Sequence, residues 1–297
     1  MGGRAKRPSR VTGGRDEVEE AARPTVATMS ETPAHLWRAL VAADPAQPFV
    51  TSYDTSGGRV ELSRATFDNW VSKTSNMLVD GLGVQPGDRV VIDLPVHWQS
   101  LVWLLSCWSV GAVAELTGQE TPEGAQVVVT GADRLEAALD SGADEVVGTS
   151  LHPLGLPLAE VPPMVWDYST EVRGHGDHFS PYPVDPKVPA LVGRGTRTGA
   201  ALTADARRRA EQWKLTSEDR AGLFVEPDAP MSLLGEGAEL LLAPVAAGCP
   251  IVVSPVGSVG PDTLLKRAGT EMVTVAMVGV GSPDLPEGAP FRIVGPA

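Results

Sequence analysis

The sequence predicts an α/β protein whose mostly parallel sheets are covered by helices. Three observations predict it. Short apolar strand candidates alternate with helical periodicity between residues 89 and 148, the alternation starts again at residue 190, and one intervening helix is apolar on nearly every side. Strand–helix–strand units of this length join parallel neighbours through a covering helix.

The elements follow in order. Pro33–Ala43 places Leu36, Trp37, Leu40 and Val41 on one face of a short helix, stopped by Asp44-Pro45. Residues 49–54 and 59–62 read as two strands joined by a turn around Ser56-Gly57-Gly58. Ser63 is the expected N-cap of a helix carrying Phe67, Trp70, Val71, Thr74 and Leu78, ended by Gly81 and Gly83. Strands follow at 89–94, 112–116, 126–130 and 145–148, with helices at 98–110 and 134–139. Residues 151–189, rich in Pro, Gly and His, read as a long crossover with one strand at 164–166. The second unit runs from a strand at 190–192 through a glycine-rich loop (193–199) and a helix (203–215). Strands at 221–225, 251–254 and 272–276 then alternate with helices at 235–247 and 261–267. The expected organisation is a disordered tail at 1–29, a first Rossmann-like lobe at 30–186 and a second at 187–297.

Composition narrows the function classes. Of 297 residues, 42% are hydrophobic and 21% charged, enough for two packed cores. Twenty-four basic against 37 acidic side chains leave a net charge of −13, which disfavours nucleic acid and anionic membrane as partners. Two cysteines, Cys107 and Cys249, exclude a disulfide scaffold and a cysteine-rich metal site, and their apolar surroundings fit core thiols in a reducing, cytoplasmic setting. The apolar run at 101–114 is too short to span a bilayer, which takes about 20 residues. The first fifteen residues are basic with no apolar segment behind them, so they do not read as a secretory signal. Met29 is an alternative start.

Several motifs then form a pattern in order and spacing. Gly83-Val84-Gln85-Pro86-Gly87-Asp88-Arg89-Val90 precedes a strand ending in Leu94-Pro95, an apolar helix and Gly111-Ala112-Val113. Ala190-Leu191-Val192, then Gly195-Thr196 and Gly199-Ala200-Ala201-Leu202-Thr203, follow later, and 243–252 reads Ala-Pro-Val-Ala-Ala-Gly-Cys-Pro-Ile-Val. This series resembles the front part of the AMP-binding, adenylate-forming superfamily of acyl-CoA synthetases, peptide-synthetase adenylation domains and luciferases, over roughly residues 33–280. The resemblance implies the fold of the front half of such an enzyme. It also implies that Gly193, Arg194, Gly195, Thr196, Arg197, Thr198 and Gly199 occupy the place of the loop that holds ATP phosphates. The departures are equally specific. The loop is shorter than the family's and has lost its Pro-Lys pair, leaving Arg194 and Arg197 as its cations. The family's adenine, magnesium, ribose and lid-lysine segments are not found.

Adenylation needs preorganised positive charge on the phosphoryl oxygens, and losing one such donor typically costs about 10²–10³ in rate. Binding needs less: backbone N–H groups, a helix N-terminus and arginines suffice for a phosphate. The expectation is a truncated relative without stand-alone ligase activity that binds ATP, AMP or an acyl-phosphate ligand, with no metal site and no catalytic residue assigned. A second copy or a protein partner is expected to cover the face where later lobes would pack. Two alternatives stand beside it: a residual carboxylate-activating enzyme completed by a partner, and a ligand-free scaffold. Other motifs read as structure. His175 and His178 fit a solvated loop, Arg207-Arg208-Arg209 a solvent-facing stripe, His97 a cap or core histidine, and Trp98, Trp103 and Trp108 the core.

Overall fold

A computed structural model describes residues 32–116, 123–152, 154–256 and 260–295, so the expected tail at 1–29 lies outside it. Helix α1 (Pro33–Ala43) is capped by Thr32, whose side chain accepts from the His35 N–H, and is followed by the antiparallel hairpin of β1 (Pro48–Tyr53) and β2 (Arg59–Ser63). Ser63 caps α2 (Arg64–Asn76) through the Thr66 N–H, as its position predicts. Then come β3 (Arg89–Asp93), α3 (Trp98–Val110), β4 (Val113–Leu116), β5 (Val127–Gly131), α4 (Leu135–Asp140), β6 (Glu145–Thr149), β7 (Val165–Asp167) and the short α5 (Tyr168–Glu171). The remainder is β8 (Pro189–Val192), β9 (Thr196–Thr198), α6 (Gly199–Gln212), β10 (Ala221–Val225), α7 (Glu239–Ala247), β11 (Ile251–Pro255), α8 (Pro261–Thr270), β12 (Val275–Met277) and β13 (Arg292–Val294).

The strands form two sheets, in the orders β7-β6-β5-β3-β4-β8-β9 and β13-β12-β10-β11-β1-β2. All neighbours are parallel except β8–β9 and β1–β2. The sheets do not follow a division at residue 186. The β1–β2 hairpin joins the second sheet, where Val50 is in register with Ile251, and β8 joins the first, where Ala114 is in register with Leu191.

Side-chain alternation explains the layering. Val90 and Ile92 of β3, Val127 and Val129 of β5, and Leu223 and Val225 of β10 all point into one large core. Their neighbours point the other way: Val91 and Val128 pack with Leu135 of α4, and Phe224 and Val252 pack with Leu264 of α8. Each sheet is therefore covered on both faces, which is why its strands read as unbroken apolar runs. Between the sheets lies α3, all thirteen of its residues buried. It ends at Gly111, which adopts φ +77° and donates to Cys107 O; a side chain there would strike Val184. Trp98, Trp103 and Trp108 are core residues, and Trp108 Nε1 donates to Ala190 O at 2.9 Å. His97 caps α3, its Nδ1 accepting from the Gln99 N–H at 3.3 Å. Burial pushes the pKa of His97 down to about 4.

Candidate functional site

A cleft of about 430 Å³ opens where the two sheets' helices meet, beyond the carboxyl ends of β4 and β8. Ligands of parallel α/β sheets characteristically bind at that edge. Leu116 ends β4, Leu191 and Val192 end β8, and Leu233 and Val280 complete an apolar lining. The polar lining comes from Gly193 and Arg194 at the tip of the β8–β9 hairpin, Arg209 on α6, and Ser232, Gly235, Glu236 and Glu239 on the segment leading into α7.

Of the loop expected to cradle a phosphate, Gly193 and Arg194 reach this cleft; Gly195, Thr196, Arg197, Thr198 and Gly199 do not line it. The segment is a tight hairpin rather than an open loop. Thr196, Arg197 and Thr198 pair with β8 as a short strand, and the Gly193 N–H donates to Gly195 O at 3.2 Å. Two hydroxyls go into the helix instead. Thr198 Oγ1 accepts from the Ala201 N–H at 3.2 Å, and Thr203 Oγ1 donates to Gly199 O at 3.0 Å. The cap at Thr198 starts α6 at Gly199, four residues before the expected start at Thr203. Arg197 is turned onto α6, where it pairs with Asp205, which Arg208 also holds at 2.6 Å. Arg194 is 75% exposed and approaches Glu236 at 3.8 Å across the rim, a weak contact in water.

Arg209 departs from the expected solvent-facing stripe. Leu202, Ala206, Arg209 and Trp213 follow one another at helical spacing, so Arg209 rides the buried face while Arg207 and Arg208 are exposed. Its Nη1 donates to Gln212 Oε1 at 2.8 Å, and its guanidinium carbon lies 5.9 Å from the Trp213 ring centroid. Its Nε is buried without a hydrogen-bond partner among the described residues.

Glu239 was not singled out in the sequence. It is only 7% exposed, and its Oε2 accepts from the Gly237 N–H at 3.1 Å; the other oxygen has no partner among the described residues. Gly235, at φ +98°, leaves the space that the carboxylate fills. Ala238, which precedes it, sits in the left-handed region at φ +52° and is the buried member of the five non-glycine residues that do so among the described residues. Such a conformation costs about 1–3 kcal/mol and persists where the surroundings dictate it, commonly at ligand sites. The signal that would have found Glu239 is an acid set between glycines and the apolar run Leu240–Leu242.

The remaining candidates stay outside the cleft. His175 lies in a loop whose backbone carbonyl accepts from Lys73 Nζ at 2.7 Å. No cluster of three or more His, Cys, Asp or Glu side chains suited to a metal occurs among the described residues. No helix among them is long and apolar enough to cross a membrane.

Comparison with known proteins sharpens this geometry. No family model matches the chain. A Brucella canis acyl-CoA synthetase superposes with a TM-score of 0.66 at 16% identity, over 83% of this chain and 47% of its own. The anthranilate CoA ligase AuaEII, in complex with anthranoyl-AMP, superposes with a TM-score of 0.65 at 12% identity, over 83% of this chain and 49% of its own. The fold is that of the adenylate-forming enzymes, and the chain spans about half the length of these two structures. A Mycobacterium tuberculosis protein described as a TIGR03089 family protein is 38% identical over 241 residues, 79% of this chain and 93% of that one. With that identity over nearly the whole of the relative, the chain belongs to the TIGR03089 family.

Proposed function

We propose that this protein binds an adenylate-type ligand, a nucleotide or an acyl-phosphate, in the cleft between Arg194, Arg209 and Glu239, and that it has no ligase activity by itself. The observation that carries the reading is Arg209, a guanidinium on the inward face of α6 with an unpartnered Nε. A buried donor without an acceptor costs about 1–3 kcal/mol, and a phosphate oxygen would offset that cost. The neighbouring Arg194, exposed at the rim of the cleft, supplies a further guanidinium suited to an anion. Shared fold with acyl-CoA and anthranilate CoA ligases supports a ligand of the adenylate class.

The lysine-free hairpin supports binding without stand-alone catalysis. Its Thr198 hydroxyl caps α6, the Thr203 hydroxyl bonds within that helix, and Arg197 pairs with Asp205, so the groups that would surround a leaving pyrophosphate are committed elsewhere. Thermal unfolding with millimolar ATP and AMP tests the binding. A ligand at 100 times its Kd adds about 2.7 kcal/mol, several degrees for a protein of this size. Arg209→Ala is expected to abolish that shift. A flat response to both nucleotides removes the reading in favour of a scaffold, and pyrophosphate release by the purified chain with a carboxylic acid and ATP removes its second half.

A further inference from the structure

We infer that the edge of the first sheet at β7 is a docking surface for a separate protein, engaged through a basic segment of that protein that carries apolar side chains. β7 ends the sheet at the side opposite β8 and β9, so the inference stands apart from the cleft and its ligand. It pairs with β6 on one side and with no strand on the other among the described residues. Residues 154–164 lead into it and are pinned in place. The Leu158 N–H donates to Asp167 Oδ2 at 2.8 Å, its side chain packs with Leu135 and Val146, and Arg173 Nη2 donates to Gly155 O at 2.7 Å. Held this way, the segment turns Leu154 and Met164 outward, 73% and 86% exposed, with Leu156 and Val161 also exposed. Large apolar side chains presented together on a fixed backbone mark an interaction surface.

The charge around them selects the partner. Between Arg134 and Arg173 the chain has no lysine or arginine and seven acidic residues. Glu136 and Asp140 on α4, Asp144 before β6 and Glu160 on the segment itself are exposed, and none is in an ion pair among the described residues. α4 packs against the segment through Leu135 and Leu158, and the register of Val146 beside Val165 puts Asp144 and Met164 at the same end of adjoining strands. Like charge opposes a second copy of this chain, an acidic partner and an anionic membrane. Strand addition is opposed too, since β7 has three residues and follows Pro162 and Pro163, which have no N–H to donate. What fits is a side-chain contact: apolar groups of the partner on Val161 and Met164, with lysine or arginine beside the carboxylates. The first fifteen residues of this chain are basic but offer only Met1 and Val11 as bulky apolar side chains, so the occupant is a separate protein.

The probes are three synthetic peptides on one amphipathic helical pattern: leucine with lysine, leucine with glutamate, and serine with lysine. Titration of the full chain at about 0.15 M salt, read by fluorescence anisotropy, is expected to show the leucine–lysine peptide binding at least about tenfold more tightly than either of the others. Hydrogen exchange is expected to slow at residues 154–166 when it binds. Leu154→Ser with Met164→Ser is expected to weaken it at least about fivefold with an unchanged unfolding midpoint, since both side chains are exposed. Asp140→Asn, Asp144→Asn and Glu160→Gln together are expected to weaken it and to flatten its salt dependence. Equal binding of all three peptides, protection confined to another region, or variants that bind as the wild type does would each overturn the inference. A dimer in light scattering that itself protects 154–166 overturns it in favour of a second copy. Protection in the free chain that disappears when Arg4, Lys6, Arg7, Arg10 and Arg15 are replaced by glutamine overturns it in favour of the chain's own N-terminus.

Discussion

Two buried carboxylates, Glu271 and Glu239, stand in opposite circumstances. Glu271, 3% exposed, accepts from Tyr53 Oη at 2.6 Å, Arg59 Nε at 2.8 Å and Arg220 Nη2 at 3.2 Å. Arg59 chiefly holds its carboxyl below the usual carboxylate range. Arg59 and Arg220 also meet Glu61, so the group ties the β1–β2 hairpin to Arg220 and Glu271, more than 150 residues later. Glu239 has one peptide N–H for company. The contrast separates charge that holds the fold together, answered by side chains of the chain, from a carboxylate at the start of α7 that lines the cleft.

The largest expected effect breaks the first half of that contrast. Glu271→Ala removes the acceptor shared by Tyr53, Arg59 and Arg220, leaves Glu61 as the arginines' remaining partner, and is expected to cost about 3 kcal/mol in urea unfolding. A loss under about 1 kcal/mol would show the group to be ornamental. His97 supplies an intermediate case, a buried titratable group kept neutral. Its folded pKa, about 4, lies below the ordinary value of 6.5, so the unfolded chain takes up the proton first and stability falls as pH drops through that window. Between pH 7 and 4.5 the wild type is expected to lose about 2 kcal/mol more than His97→Asn, which retains a capping oxygen. Next in size, Arg197→Ala breaks the pair with Asp205 and is expected to cost about 1 kcal/mol without weakening nucleotide binding. Arg194→Ala is expected to change stability by less than about 0.5 kcal/mol while weakening nucleotide binding severalfold. If Arg197 and Arg194 exchange these roles, the hairpin rather than the cleft is the binding element.

The parts of the fold legible in the sequence were those governed by local rules. Capping at Ser63, the amphipathic face of α1 and the all-apolar α3 follow from side-chain period alone. Pairing partners did not, because nothing local says which sheet a strand will join: the hairpin at 48–63 and the strand at 189–192 each belong with the more distant half of the chain. The three-residue strands β9 and β13 were too short to show a period. In the site, the glycines drew attention to residues 193–199, whereas the inward position of Arg209 needed the phase of α6, and Glu239 needed the turn that buries it.

The exchange of strands between sheets also sets the order in which this protein can assemble. A nascent chain that has delivered residues 48–63 holds a ribbon with no sheet to join until Ile251–Pro255 has been synthesised. Until then its Phe49 has only local cover, from the Trp37 ring of α1 at 4.5 Å and the Phe67 ring of α2 at 4.9 Å, while the edge that β11 will pair stays open. Circular permutation that brings the hairpin next to β11 is the change that would shorten that wait.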